Sequence, residues 1–330
     1  MTIEVAVKYP EISAQGFAHP ADRAATAAIR TVPSIDKVIK FLTEHGYERR
    51  MRQLLLGNAV RISDDQLPTV WTIQRRCANV LDIGRCPRLY VTQEPVGNGL
   101  TIGSNEPITL VSSGLVGSFS EVELTATLAH EMGHVLAEHV GLTTTFQLVQ
   151  MILRGVLRTV PLAGVPLVAL YLALLEWSRA AELTADRASA IVTGDPLAMC
   201  RTLMRMAGGP VKDLNVEAFI RQATEYESEA DPFSRYSRFF AEITTTHPFP
   251  VRRVRELIAW VTSGDLDRIR SGSYLHKGQE PPTSHEFEAA FEHYRKRFST
   301  ILDRASDGIS TVLDRLTTWL GGSEEAAAAD

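Results

Sequence analysis

Apolar residues recur at helical spacing through residues 20 to 60, in stretches broken at Val32-Pro33-Ser34, and the run IDKVIKFLTEHGYERRMRQLLL keeps that spacing over several turns. A further helix is predicted from Leu67 to Leu81. After GRCP the texture changes. RLYVTQEP, GLTIGSN and PITLVSSG are short, β-branched and punctuated by Gly and Pro, which predicts a small sheet. The helical period returns in SFSEVELTATLAHEMGHVLAEH, where Ser120 with Glu123 three residues on forms the capping-box pattern of a helix start. Leu124, Leu128, Val135 and Leu136 share nearly one phase of it, so this helix should be largely buried.

Three later segments carry apolar runs with different consequences. WSRAAELTADRASAIV, residues 177 to 192, sets Glu182 and Asp186 four apart on one helix face, and alanines at 180, 181, 185, 188 and 190 permit a close helix contact. Just before it, TVPLAGVPLVALYLALL, residues 159 to 175, runs 17 residues without a charge. A membrane span needs about 20 apolar residues, and Pro161 and Pro166 interrupt this one. A buried helix or interfacial hairpin is therefore expected, with membrane association or an integral span through 147–176 as the alternative. Near the end, HEFEAAFEHYRKRFSTILDRASDGISTVLDRLTTWL aligns Phe287, Phe291, Tyr294, Phe298, Ile301, Ala305, Val312, Leu316 and Trp319 on one stripe. A long helix packed on the protein's own core is the first reading; self-association through 285–319 or membrane docking competes with it. These signals divide the chain into an N-terminal helical region (1–80), a central unit (81–265), a C-terminal amphipathic helical region (266–320) and a disordered acidic tail (321–330).

Composition narrows the class. The chain has 330 residues, 45% hydrophobic and 22% charged, with mean hydropathy −0.04, a globular balance with material for a large core. A net charge of −5 with no basic block argues against nucleic acid as a partner. Cys77, Cys86 and Cys200 make an odd count without paired metal spacing and read as reduced thiols of an intracellular protein. The opening MTIEVAVKYPEISAQGF lacks a basic stretch followed by an apolar core, so no secretory signal is expected and the location reads as cytoplasmic.

The chemistry concentrates in LAHEMGHVLAEH. His130 and His134 lie about one turn apart on one helix face, where two imidazoles can reach one metal, and Glu131 beside the first can face a metal-bound water without binding the metal. Gly133 leaves that face uncrowded. The competing reading, a helix that merely carries histidines, requires them to be solvated or paired, and the apolar flanks make a bare buried cluster costly. Catalytic zinc generally takes three protein ligands and leaves one position open. His139, five residues past His134, is rotated off the ligand face, and a third histidine at the spacing of the longer motif would stand where Val140 does. Cys200 has no supporting pattern. Glu182 remains, against the competing reading of a solvated acid paired with Arg179. Asp186 is either a partner of a ligand histidine or in an ion pair with Arg187 or Arg179.

H-E-M-G-H followed by S-R-A-A-E-L-T-A-D-R resembles the M48 metallopeptidases, the group with the Ste24 and HtpX-type proteases, in which H-E-x-G-H is joined by E-x-x-A-D. GNGLTIGSNEPITLVSSGL resembles the family's edge strand and the segment before its active-site helix, and TTTHPFPVRR, residues 244 to 253, resembles its T-H-P segment. The likeness spans roughly residues 80 to 260, and VPSIDKV and SGDLDRI look like a soluble bacterial branch. It departs at Gly99, where alanine is common. The resemblance implies a mainly α (α+β), zincin-like gluzincin fold with a small sheet beside the active-site helix, and a catalytic domain in the central unit. It also implies one Zn2+ per chain and a polypeptide substrate cut by an endopeptidase. His130, His134 and Glu182 are then the metal ligands, Glu131 the general base and Asp186 the group that fixes a ligand histidine's tautomer. A peptide adds as a strand near Asn98 to Asn105, with Asn98, Ile102 and Gly103 as contacts. His247, held between prolines, either donates to the oxyanion or binds the open metal position and keeps the enzyme latent. The rival function is a catalytically silent, chaperone-like binding module that keeps the zinc.

Overall fold

A computed structural model describes residues 7–31, 47–103, 105–159, 165–228, 247–281 and 285–302. In chain order, α1 (Pro20–Arg30), α2 (Tyr47–Asn58), β1 (Val60–Ile62) and α3 (Pro68–Val80) lead to β2 (Arg88–Thr92), β3 (Gly99–Ile102) and β4 (Ile108–Ser112). The short α4 (Ser113–Ser118) precedes the motif helix α5 (Glu121–Leu136), followed by α6 (Val140–Thr159), α7 (Val165–Thr193), α8 (Pro196–Gly208) and α9 (Val216–Ser228). α10 (Pro250–Thr262), α11 (Asp265–Arg270) and α12 (His285–Leu302) complete the described chain. The molecule is mainly helical with one four-stranded sheet, as the sequence predicts.

The sheet order is β1-β2-β4-β3, with β2 and β4 parallel and both outer pairings antiparallel. β3 is thus an edge strand, registered through Gly99 opposite Val111 and Thr101 opposite Thr109. β1 was not expected. Its three residues, Val60-Arg61-Ile62, are too few to show a period of two. The helix predicted over the IDKVIKFL stretch falls outside the described residues up to Gly46.

α5 begins where the capping box places it: the Glu123 carboxylate accepts from the Ser120 N–H at 2.7 Å, and the Glu123 N–H donates to Ser120 Oγ at 3.4 Å. α5 and α7 then pass through the middle of the fold. One apolar core gathers Leu128 and Met132 of α5, α3, the sheet, α8 and α10. A second gathers α1, α6 and the first half of α7. α7 belongs to both, through Leu170 to Ala181 in the second core and Ala188 to Ile191 in the first, and Glu182 and Asp186 fall at the junction.

The charge-free segment resolves in the same way. Leu170, Ala173, Leu174 and Leu175 are buried within the protein, residues 160–164 lie outside the described chain, and among the described residues no helix is long and apolar enough to cross a membrane. Of the C-terminal stripe, Phe291, Tyr294 and the fully buried Phe298 pack on the second core; the side chain of Ile301 and the positions from Ala305 onward, including the acidic tail, lie outside the description.

α5 lies tightly against α7 at Gly133. A methyl group there would stand 2.6 Å from Ala188 Cβ and 3.1 Å from Ala185 Cα, both on fully buried residues. Gly133→Ala gains about 1 kcal/mol of helix propensity. Overpacking costs typically about 1–3 kcal/mol, and since the obstructing atoms belong to a helix backbone and its first side-chain carbon, that term should win. Denaturant unfolding should show a lower midpoint for Gly133→Ala; equal or greater stability would show that the crossing has slack.

Candidate metal centre

The α5–α7 crossing sets His130 and His134 opposite Glu182. Their donor atoms lie within 4.8 Å of one another, and all three residues are buried. His130 Nε2 and His134 Nε2 are 3.2 Å apart, and each is 3.4 Å from a Glu182 oxygen. Donors about 2.0–2.2 Å from a tetrahedral ion stand roughly 3.3 Å from one another. The spacings approach those of one tetrahedral donor set, with the two imidazoles meeting different oxygens of Glu182. Glu182 Oε2 is moreover buried without a hydrogen bond, although Arg253 Nη1 at 2.9 Å and His247 Nδ1 at 3.0 Å lie within ion-pair distance. Two imidazoles and a carboxylate are the donor set of open, catalytic zinc sites.

Each imidazole is gripped from behind. His130 Nδ1 lies 3.0 Å from Asp186 Oδ1, so the ionised carboxylate accepts from Nδ1 and, once the ring is neutral, favours the tautomer with Nε2 bare. His134 Nδ1 lies 3.0 Å from Nδ1 of His139. Helical extrapolation turns His139 away from this face, but the helix stops at Leu136. Glu138 adopts a left-handed backbone (φ 58°), and the His139 N–H donates to the His134 carbonyl at 3.0 Å, folding the ring back under His134. His139 is not one of the converging donors, as expected, but it touches one of them.

A profile of peptidase family M48 matches residues 66–261, which contain all three donors. The chain belongs to peptidase family M48. It is 36% identical over 262 residues to the plastoglobule-localized metallopeptidase 48 of Arabidopsis thaliana, covering 77% of this chain and 75% of the relative. It is 26% identical over 228 residues to protease HtpX homolog 2 of Methanosarcina acetivorans, with 59% and 74% coverage. Protease HtpX homolog 1 of Streptomyces coelicolor is 28% identical over 225 residues, with 59% and 72% coverage. No solved structure matches. The protein is accordingly a metallopeptidase of the M48 family, which acts on polypeptides and implies a bound metal.

Around the M48 donors the charges are balanced by one arginine. Arg253 of α10, itself buried, bonds Asp186 through Nε at 2.8 Å and Nη2 at 2.6 Å and reaches Glu182 through Nη1. Burial works against ionisation of both acids, yet His247 and Arg253 hold Glu182 well below the usual carboxylate range, and Arg253 does the same for Asp186. The histidines divide. Burial disfavours charge on both, but Glu182 and Asp186 raise His130 to about 9, whereas burial and the charge on His130 lower His134 to about 4. Burial raises Glu131, against the opposing effects of His130 and of Thr101 Oγ1, which donates to Glu131 Oε2 at 2.8 Å.

His130, His134, Glu182, Glu131 and Arg253 line a cleft of about 330 Å³ that is walled by Asn98 and by Gly99 to Thr101 of the edge strand and bordered by His247. Gly99 faces the glutamate: a methyl there would lie 2.9 Å from Glu131 Oε1. His247 is half-exposed at the rim, with its Nδ1 on Glu182. Two expected substrate contacts lie elsewhere. Ile102 is buried opposite Ile108, and both backbone groups of Gly103 are taken by Thr144 Oγ1, at 2.8 and 2.7 Å, so neither lines the cleft. The strand's available stretch ends at Thr101. Arg253 lies inside the VRR of the T-H-P segment; two buried acids signal that some cation must approach, but not which.

Arg253→Met should therefore strand Asp186 and Glu182. Removing one partner of a buried ion pair costs about 3–5 kcal/mol, and a melting temperature measured on metal-free protein should fall accordingly. A melting temperature within error of the parent would show that the imidazoles alone compensate the acids.

Proposed function

We propose that this M48 protein is a zinc-dependent endopeptidase, with His130, His134 and Glu182 as the metal ligands and Glu131 as general base. The observation that carries the reading is the buried set of three convergent donors beside a buried carboxylic acid, opening on a cleft walled by a free sheet edge. A zinc ion bound there supplies a Lewis acid and lowers the pKa of water toward neutrality. The residues do the rest. Glu131, poised by burial and oriented by Thr101, takes a proton from the attacking water and returns it to the leaving amine. The substrate backbone aligns along Asn98 to Thr101 as an added strand. Asp186 keeps His130 in the tautomer that presents Nε2. The half-exposed position of His247 suits a donor to the oxyanion, with a latent role as the alternative. The catalytic unit is residues 81–265.

The reading places the enzyme in the cytoplasm, with peripheral membrane contact as the alternative, favoured by the name of the plastoglobule-localized relative. The rival function, a silent zinc-holding module, makes a different prediction for one substitution. Glu131→Gln should retain zinc by metal analysis while cleavage of casein falls by about 10²–10⁴-fold; Glu182→Ala should lose the zinc itself. Unchanged cleavage by Glu131→Gln would remove the glutamate's role, and a zinc-loaded parent that never cuts casein would favour the silent module.

His247→Ala discriminates the two roles at the rim. Loss of an oxyanion donor should lower kcat on the order of 10²-fold with zinc affinity unchanged. A rise in kcat would instead identify His247 as the residue that closes the open metal position.

A further inference from the structure

We infer that Asp22 and His139 form a proton-ordering relay that positions His134 for the metal, which makes α1 part of the metal centre although it lies outside the family-matched residues 66–261. The inference rests on His134 being a ligand, as proposed above. His139 Nε2 stands 3.1 Å from Asp22 Oδ2, and both residues are 2% exposed. A carboxylate can only accept, so a neutral His139 carries its proton on Nε2 and presents a bare Nδ1 to Nδ1 of His134. His134 must then donate from Nδ1, and its Nε2 lone pair is left facing the donor cluster. The opposite order would place a proton on Nε2, where the metal has to bind.

Asp22 is itself held as an acceptor by donors that run one way. The Trp177 indole N–H donates to Thr26 Oγ1 at 2.8 Å, and that hydroxyl donates to Asp22 Oδ1 at 3.0 Å. On the other oxygen, Thr184 Oγ1 donates to Asp22 Oδ2 while accepting the His19 N–H at 3.0 Å. The indole also meets the His139 ring edge-to-face at 5.6 Å, which fixes the plane of the imidazole. A buried carboxylate, two hydroxyls and an indole thus converge on one imidazole that touches a ligand from behind. Trp177 borders the cleft, but Asp22, Thr26, Thr184 and His139 do not line it, so the relay acts by orientation and not in the reaction itself.

The test measures zinc affinity of the full chain by chelator competition. Groups behind a ligand typically contribute about 10–100-fold to metal affinity, and a loss in that range is expected for Asp22→Asn, whose amide can reverse the order by donating to His139. His139→Phe should lose as much, whereas His139→Gln, whose side chain accepts at one atom and donates at the other, should restore the parent affinity. A merely packing role predicts the reverse ranking, with Phe best tolerated against Trp177. If His139→Phe does not fold, 15N imidazole spectra of the zinc-loaded parent decide: a proton on His134 Nδ1 and on His139 Nε2 supports the relay, and a bare His134 Nδ1 overturns it. Parent affinity in Asp22→Asn, or equal losses in the Phe and Gln variants, also overturns it. His134→Ala is the control: if it keeps zinc, the ligand set fails and the relay with it, whereas if it loses zinc while Asp22→Asn does not, only the relay fails.

Discussion

Two carboxylates one turn apart on a buried helix face are the constraint around which this fold is arranged. Glu182 and Asp186 are 4% and 1% exposed, and their ionised forms are tenable only if cations or strong donors are brought to them. α10 supplies Arg253, α5 supplies the two imidazoles, and the rim supplies His247. The site is therefore a convergence of elements that no single helix could provide. Close approach makes it possible, since Gly133 and the alanines of α7 let two backbones meet where a larger side chain would separate donor from donor.

What the sequence disclosed follows from the range of the signals. The motif helix, its capping box, three of the strands and the placement of Glu182 with Asp186 on one face depend on spacings of two to four residues, and these were readable. Groups brought in over long separations were not. Arg253 meets Asp186 across 67 residues and Thr184 meets Asp22 across 162, and neither pairing leaves a local pattern. His139 escaped for a different reason. The helical period was extended past a helix that ends at Leu136, and one left-handed residue at Glu138 converts a position on the wrong face into a contact with His134. Ile102 and Gly103, read as substrate contacts, are not among the cleft's lining residues, because the end of the strand turns into the protein's own core and onto Thr144.

The cleft shows how little of the edge strand is left for a substrate, and why. β3 spends one side on β4, and its end on Thr144 of α6, so the residues that can meet a guest are those beside Glu131. There the strand carries a glycine, and the space that a methyl would fill belongs to the Glu131 carboxylate. Thr101 then fixes one oxygen of that carboxylate, leaving the other toward the open side. Strand and Glu131 carboxylate are thereby set at a fixed spacing, which is what the proposed mechanism requires for aligning a peptide bond with a proton acceptor.

The two histidines proposed as ligands are held by arms of unequal length, and the inequality has a consequence for where the functional unit ends. His130 is ordered by Asp186 directly, and both groups lie on the crossing helices. Among the described residues, His134 Nδ1 meets His139 and not a carboxylate, and the carboxylate beside His139 stands on α1. A chain cut at residue 81 would keep every donor atom and the glutamate between them, but the imidazole of His139 would face no acceptor and either nitrogen of His134 could carry the proton. The donors alone set which atoms converge; the order of protons along hydrogen bonds behind them sets whether the converging atoms are bare. On the proposed relay, α1 positions a ligand from outside the catalytic unit, and the N-terminal region supports the centre structurally.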